Sequence, residues 1–327
     1  MRRFVLSILL MAFGTGGNSG EAPRPLLHAG ARITATPVRL DPADPRRTRI
    51  GPLTFLGGWQ LTSTDRAFGG WSAMIGRAGR LLLVSDGGGV FGLAAAGGRL
   101  ADARVGDLPA GPGSGYLKAE RDSEAMAVDP ATGTIWVAFE QQHGIWRYAP
   151  GPGGGPGQAT GMVPIRPRRP WPENGGVEAM TRLADGRFLL FAEGGLTQSG
   201  GRDALLYPGD PVTGVPPLGF SYRPAPGHRV TDVAQLPDGR ILILERRVSW
   251  PMTALIAIAD PATIRAGGTL RSRVIARLAP PLISDNYEAL AITREGDSTI
   301  LWVASDDNHL PVQRSLLLRF RWDAGAR

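Results

Sequence analysis

The chain repeats itself about every 54 residues, and the repeats carry acids at matching places. Glu124 in SEAMAV, Glu178 in VEAMTR, Asp232 in TDVAQL and Glu288 in YEALAI each head an apolar run, at spacings of 54, 54 and 56 residues. An earlier copy, WSAMIG, puts Ser72 in that slot, 52 residues before Glu124. A second acid follows each by 13 to 18 residues and closes a β-rich run: Asp86, Glu140, Glu193, Glu245 and Asp306. A period of this length means supersecondary units that are stacked or arranged around an axis, because one such unit cannot bury its apolar face alone.

The second copy shows the grammar of the unit. Residues 124–129 alternate and end in the turn Asp129-Pro-Ala-Thr-Gly133, with Pro and Gly where turn geometry wants them. The next run, Thr134–Glu140, is β-branched and aromatic, as a buried strand requires. Residues 145–148 form a third strand and residues 158–165 a weaker edge strand. Tight hairpin signals recur at Arg77-Ala-Gly-Arg80, Ala184-Asp-Gly-Arg187 and Pro237-Asp-Gly-Arg240. Four antiparallel strands per unit, five times over, predict an all-β chain forming a single β-propeller of four-stranded blades. The 46 glycines and 28 prolines supply its many turns. The last copy has only three clear strands, ending in Ser315–Trp322. Residues 52–61 can supply the fourth and so close the ring without an open sheet edge. A sixth blade follows only if residues 31–40 help to build one.

The N-terminus places Arg2 and Arg3 before an apolar stretch, Phe4–Phe13, and then small residues. This is the pattern of a secretory signal, too short to span a bilayer. The expected organisation is a signal peptide over residues 1–20, a Gly-, Pro- and Arg-rich linker over 21–47, and the propeller over 48–323. With no cysteine the chain has no disulfide, lipid-anchor cysteine or thiolate metal site, which fits a periplasmic or secreted protein. The net charge of +7 is almost wholly arginine, Lys118 being the only lysine. No basic run interleaves with aromatics, so nucleic acid is not an expected partner. The expected partner is a small anionic molecule, and the expected state a monomer without a membrane span in the mature chain.

Propeller topology gathers the repeated acids. The start of each blade's first strand and the end of its second lie at one mouth of the central channel, so up to nine carboxylates converge there. They cannot all stay ionised without cations, arginines or shared protons. Oxygen ligands from several blades suit a hard cation, Ca²⁺ above all. Alternatively Arg121, Arg202, Arg246 and Arg247 neutralise the acids, or some acids stay protonated and act as general bases. A structural role is also open, in which each acid bonds backbone N–H groups of the next blade. Asn174 and Asn308 add neutral oxygens beside the mouth. His143, His228 and His309 fall at the same end, as a transition-metal site or a general base would need. No G-x-S-x-G elbow surrounds Ser72.

The motifs resemble the phytase-like family described as "esterase-like activity of phytase". The matching elements are Phe68-Gly-Gly-Trp-Ser-Ala-Met74 with Ser85-Asp86, and Arg121-Asp-Ser-Glu-Ala-Met126 with Trp136-Val-Ala-Phe-Glu140. They continue with Glu173-Asn-Gly-Gly-Val-Glu-Ala-Met180, Leu244-Glu-Arg246, and Tyr287-Glu-Ala-Leu290 with Asp306-Asp-Asn308. They run in order over residues 50–322. Alanine stands where that family often has glycine after the motif acid, and Trp71 replaces a smaller or different apolar residue. The resemblance implies a secreted or periplasmic propeller that hydrolyses phosphate or other esters.

The expectation is therefore a metal-dependent hydrolase of an anionic ester, phosphoester or carboxyester. Its catalytic acids would be Glu178, Asp232 and Glu288 with His309. Arg121, Arg246, His143 and His228 would bind the ligand. Glu124, Glu140, Glu193, Glu245, Asp306 and Asn308 would hold Ca²⁺. A non-enzymatic binding propeller and a lactonase-type propeller are the alternatives.

Overall fold

The computed structural model describes residues 23–167, 170–197 and 200–323; the expected signal peptide lies outside these. Its strands form five sheets in a ring, one per sequence repeat. Blade 1 runs Trp71–Arg77, Arg80–Ser85, Gly89–Ala96 and Arg99–Asp107, and blade 2 runs Ser123–Val128, Ile135–Phe139, Gly144–Pro150 and Pro156–Pro164. Blade 3 comprises Val177–Arg182, Phe188–Leu196, Arg202–Tyr207 and Leu218–Tyr222, with the short Thr269–Leu270 added in parallel at its edge. Blade 4 comprises Arg229–Gln235, Ile241–Arg247, Thr253–Ala259 and Ser272–Leu278.

The fifth blade joins the two ends of the chain. Tyr287–Glu295, Ser298–Ser305 and Ser315–Trp322 are its inner three strands. Leu53–Ser63 pairs antiparallel with the third, from Ser315 opposite Leu61 to Trp322 opposite Leu53. Residues 31–40 build no sixth blade: Ile33–Pro37 lies outside Leu53–Ser63 as a further strand of the same sheet. The stretch expected as a linker is thus partly structural. Leu27 and Leu40 are buried in core layers, and Arg24 pairs with Asp107 at 2.5 Å while donating to Gly115 O and Gly87 O at 2.7 Å.

Five hydrophobic layers fill the interfaces between neighbouring blades. Trp71, Phe91 and Trp302 pack between blades 5 and 1, and Phe139, Val137 and Tyr148 between blades 1 and 2. Phe188 meets Trp136 between blades 2 and 3, Phe191 meets Tyr222 between blades 3 and 4, and Leu242 and Ile256 meet Phe320 between blades 4 and 5. The central strands are largely covered on both faces, which explains why runs such as Ile135–Phe139 and residues 254–259 are apolar without alternation. At the Asp-Gly-Arg hairpins, Gly186 and Gly239 take φ of +90° and +91°, a conformation that penalises any Cβ.

One irregularity recurs in all five blades. The register between first and second strands skips one residue near the start of the first strand. Such a bulge leaves one residue unpaired and re-aims its side chain. The bulged residues are Ser72, Glu124, Glu178, Thr231 and Glu288, and all five are polar.

Candidate functional site at the channel mouth

The bulge carries these five side chains to one end of the channel. A second ring comes from the residue just after the second-strand partner: Asp86, Glu140, Glu193, Arg246 and Asp306. In four blades its N–H donates to the carbonyl two residues before the bulge, from Asp86 to Gly70, Glu140 to Asp122, Glu193 to Gly176 and Asp306 to Asn286, at 2.8–3.0 Å. In the fourth blade Arg246 stands opposite Arg229 in the same position.

Blade 4 therefore corrects the expected register by one residue. Thr231, not Asp232, occupies the bulge, and Arg246, not Glu245, occupies the second ring. Thr231 Oγ1 faces the carbonyls of Leu244 and Tyr287 at 3.5 and 3.4 Å, as Ser72 Oγ faces those of Val84 and Ser123 at 3.2 and 2.5 Å. Both hydroxyls are committed to joining neighbouring blades. The displaced acids do structural work. Asp232 lies inside the channel and accepts N–H bonds from Leu290 (2.6 Å) and Val233 (2.7 Å), and from Met74 across the channel. Burial holds its pKa well above the carboxylate range. Beyond it, a cavity of about 260 Å³ is lined by Met74, Met126, Met180, Val233 and Leu290. Glu245 is buried between blades 3 and 4, accepting from Tyr222 Oη at 2.5 Å and Ala225 N at 2.9 Å. Aligning the repeats on the apolar residue that follows, Met74, Met126, Met180, Val233 and Leu290, recovers this register from sequence. Aligning them on the acid does not.

Three further expected residues point elsewhere. Arg121 is buried and donates to Pro112 O, bracing the loop before blade 2, so it faces no ligand. Asn308 Nδ2 donates to Gln313 Oε1 at 2.7 Å in an exposed loop. The His228 ring nitrogens contact Pro226 O and Thr253 Oγ1, both at 3.1 Å. The other two histidines stay near the mouth. His143 sits in the turn after Glu140, edge-on to Trp171, with its Nδ1 buried and unpartnered. His309 lies over Gly70, which also adjoins Asp86.

The acids that do converge form two overlapping triads, Asp122–Glu124–Glu140 and Glu140–Glu178–Glu193; within each, one oxygen per residue lies within 4.8 Å of the others. Glu140 belongs to both. Burial first, and the neighbouring carboxylates second, push the pKa values of Glu124 and Glu178 well above the usual range. Glu140 is pushed up to about 7 by burial and Asp122, against the N–H of Gly176, which donates to its Oε1 at 3.3 Å. Burial and then Glu288 raise Asp306, while burial raises Glu288 against the pull of Arg246.

Three cations flank these acids. Arg246 Nη1 contacts Glu288 Oε1 at 2.8 Å and Asn286 Oδ1 at 2.7 Å, and Arg229 Nη1 contacts Glu193 at 2.7 Å. Lys118 Nζ lies 2.8 Å from Asp86 and 3.5 Å from Asp122, its side chain half exposed. Burial works against its charge, but these acids and Glu124 outweigh it and hold the ammonium protonated. Lys118 and Arg229 carry no repeat signal, so the periodicity could not reveal them.

The triads suit a hard divalent cation. All their donors are carboxylate oxygens, drawn from two adjacent blades, and in each triad the like charges demand either protons or a cation. A softer metal would want nitrogen or sulfur, which neither triad offers.

Among solved structures the chain is similar to glutaminyl cyclase of Myxococcus xanthus, at 11% identity and a TM-score of 0.49, covering 82% of this chain and 95% of that one. It is also similar to hydrazine synthase of Kuenenia stuttgartiensis, at 14% identity and a TM-score of 0.38, covering 74% of this chain and 58% of that one. A protein from Lactobacillus plantarum is matched at 14% identity and a TM-score of 0.37, over 84% and 75% of the two chains. No curated protein matches the sequence. The family model described as esterase-like activity of phytase matches residues 66–309, well over half the chain. With five four-stranded blades and that match together, the chain belongs to the phytase-like family.

Proposed function

We propose that this protein is an exported, monomeric propeller that binds Ca²⁺ at the channel mouth and hydrolyses a small anionic ester there. The observation that carries the reading is the position of Glu140, shared by two carboxylate triads, with Lys118 on Asp122 of the first triad and Arg246 on the neighbouring mouth acid Glu288. Glu140 would hold the cation together with Asp122 and Glu124, or with Glu193, and the cation would supply neutralising charge and polarise an anionic substrate oxygen. Arg246 and Lys118 orient the substrate's anionic group. Glu140 and Glu178 adjoin in the second triad; Glu140, pushed up to about 7, suits the base near neutral pH, and Glu178, which burial holds well above the carboxylate range, suits the acid. Glu140 accepts the proton of the attacking water, whose oxygen bonds to the ester phosphorus or carbon. The leaving alcohol takes its proton from Glu178, and proton exchange between the two carboxyls restores the start. Ser72 is no rival nucleophile, since its hydroxyl is spent on Ser123 O. Export rests on Arg2, Arg3 and the apolar stretch that follows.

A second reading keeps the ligand and drops the turnover. The contacts Arg246–Glu288, Arg229–Glu193 and Lys118–Asp86 already neutralise much of the mouth, as a binding module would need. Metal analysis before and after chelation, followed by a panel of phosphoester, carboxyester and lactone, separates the two. Co-purifying Ca²⁺, turnover, and its loss in Glu178→Gln support the hydrolase, and lactone turnover alone selects the lactonase reading. Bound Ca²⁺ without turnover selects the binding module, and a protein indifferent to divalent cations sinks both.

A further inference from the structure

Two loops leave the mouth directly from its ring residues. One runs from Arg246 to Val248, Trp250 and Met252, the other from Asp306 through His309 to Leu310 and Val312. Their tips are apolar and exposed: Trp250 is 87% exposed, Val312 81%, Val248 56% and Leu310 44%. Neither 248–252 nor 308–313 holds a Lys, Arg, Asp or Glu. The loops meet where Gln313 Nε2 lies 3.9 Å from Met252 Sδ, so the tips of blades 4 and 5 form one neighbouring patch.

This exposure is built in. Asn308 and His309 both adopt left-handed backbone, at φ of +46° and +50°, which costs a non-glycine residue energy and persists only where the surroundings impose it. Asp306 Oδ1 accepts from Asn308 N at 2.6 Å, Asp307 Oδ1 from His309 N at 3.1 Å, and Asn308 Nδ2 reaches Gln313 at 2.7 Å. The mouth acid Asp306 therefore helps to hold the loop that raises Leu310 and Val312 into water. A braced apolar surface joined to a polar site marks recognition rather than a chance exposed residue.

We infer that these two loops form a ledge for the apolar part of the substrate, making the preferred ligand an amphiphile with an anionic group at the mouth and an alkyl or aryl group over Trp250 and Val312. This rests on the mouth reading above and adds the substrate class. Charge complementarity sets the orientation. The anion meets Arg246 and Lys118, and the uncharged ledge begins two residues beyond Arg246.

The test is a series of methyl-, butyl- and hexylphosphonate titrated into the full chain with saturating Ca²⁺, for the wild type and for Trp250→Ala/Val312→Ala. Neither residue belongs to the mouth. On the ledge, affinity in the wild type should rise about twofold per methylene, half the logarithmic gain of a fully buried one. The double variant should flatten the series while binding methylphosphonate as the wild type does. A flat wild-type series, or an unchanged slope in the variant, overturns the ledge. Failure of methylphosphonate to bind at all sinks the mouth reading instead. A flat series together with Trp250-dependent sedimentation on phosphatidylcholine vesicles assigns the loops to a bilayer and overturns the small-molecule proposal.

Discussion

Replacing Glu140 by Gln should make the cation-free protein more stable at neutral and alkaline pH. The buried carboxyl binds its proton with a pKa raised from 4.5 to about 7. In the unfolded chain it has its ordinary value, so between these pH values the folded protein keeps a proton that the unfolded chain has released. Stability must then fall as pH rises from 4.5 to 7, and the loss is complete above 7. At about 1.4 kcal/mol per pH unit the penalty is about 3 kcal/mol. Glutamine resembles the protonated acid: its oxygen can still accept from Gly176 N, now at 3.3 Å, and its amide carries no charge to repel Asp122. In a chelator at pH 8, Glu140→Gln should therefore gain up to about 3 kcal/mol, on the order of 6 °C in Tm for a chain of this size. At pH 4 the two proteins should unfold together. Urea or thermal unfolding at both pH values, with and without Ca²⁺, reads this directly. Added Ca²⁺ should stabilise the wild type more than the variant, because the variant lacks the carboxylate common to both triads. A variant less stable than wild type at pH 8 in chelator would mean instead that Glu140 is ionised and well paired in the cation-free mouth.

Other substitutions separate structural acids from mouth acids. Asp232→Ala should cost about 3 kcal/mol, by leaving buried N–H groups of Leu290, Val233 and Met74 without an acceptor. Ca²⁺ affinity measured calorimetrically on the folded variant should stay within about twofold; a large loss would return Asp232 to the cation site. Glu245→Ala should also unfold at lower urea with cation binding intact, because its partners are Tyr222 and Ala225 rather than the mouth. Arg246→Met removes the charge that holds down both Glu288 and the triad acid Glu178, and should raise both carboxyls further. Cation binding should then need higher pH, and a pH midpoint unchanged from wild type would rule out coupling between Arg246 and the mouth acids.

Much of the architecture was legible in the chain because its period and its strand chemistry agree. Apolar runs such as residues 241–244 and 300–304 recur at the blade interval, and short turns leave them no partner but their neighbours. The closing strand Leu53–Ser63 was also readable, since the last repeat lacked a fourth strand. The fate of residues 31–40 was not. Their strand character is plain, but only the free outer edge of Leu53–Ser63 decides that they extend the fifth blade.

The site divides along the same line. Sequence alone determined that acids such as Glu124, Glu178 and Glu288 collect at one end of a channel, because a repeat that sets strand order also sets which strand ends coincide. Tertiary structure decided which acids face the mouth, which lie deeper in the channel and which are sealed between blades. A one-residue difference in blade 4 sends Asp232 to backbone N–H groups and Glu245 to Tyr222, leaving Thr231 and Arg246 in the ring. The physical reason is the bulge: its extra residue moves one side chain between the sheet face and the channel, and a carboxylate's chemistry follows from where it points. Lys118 belongs wholly to the folded chain, brought to Asp86 and Asp122 by a loop that shares nothing with the repeat.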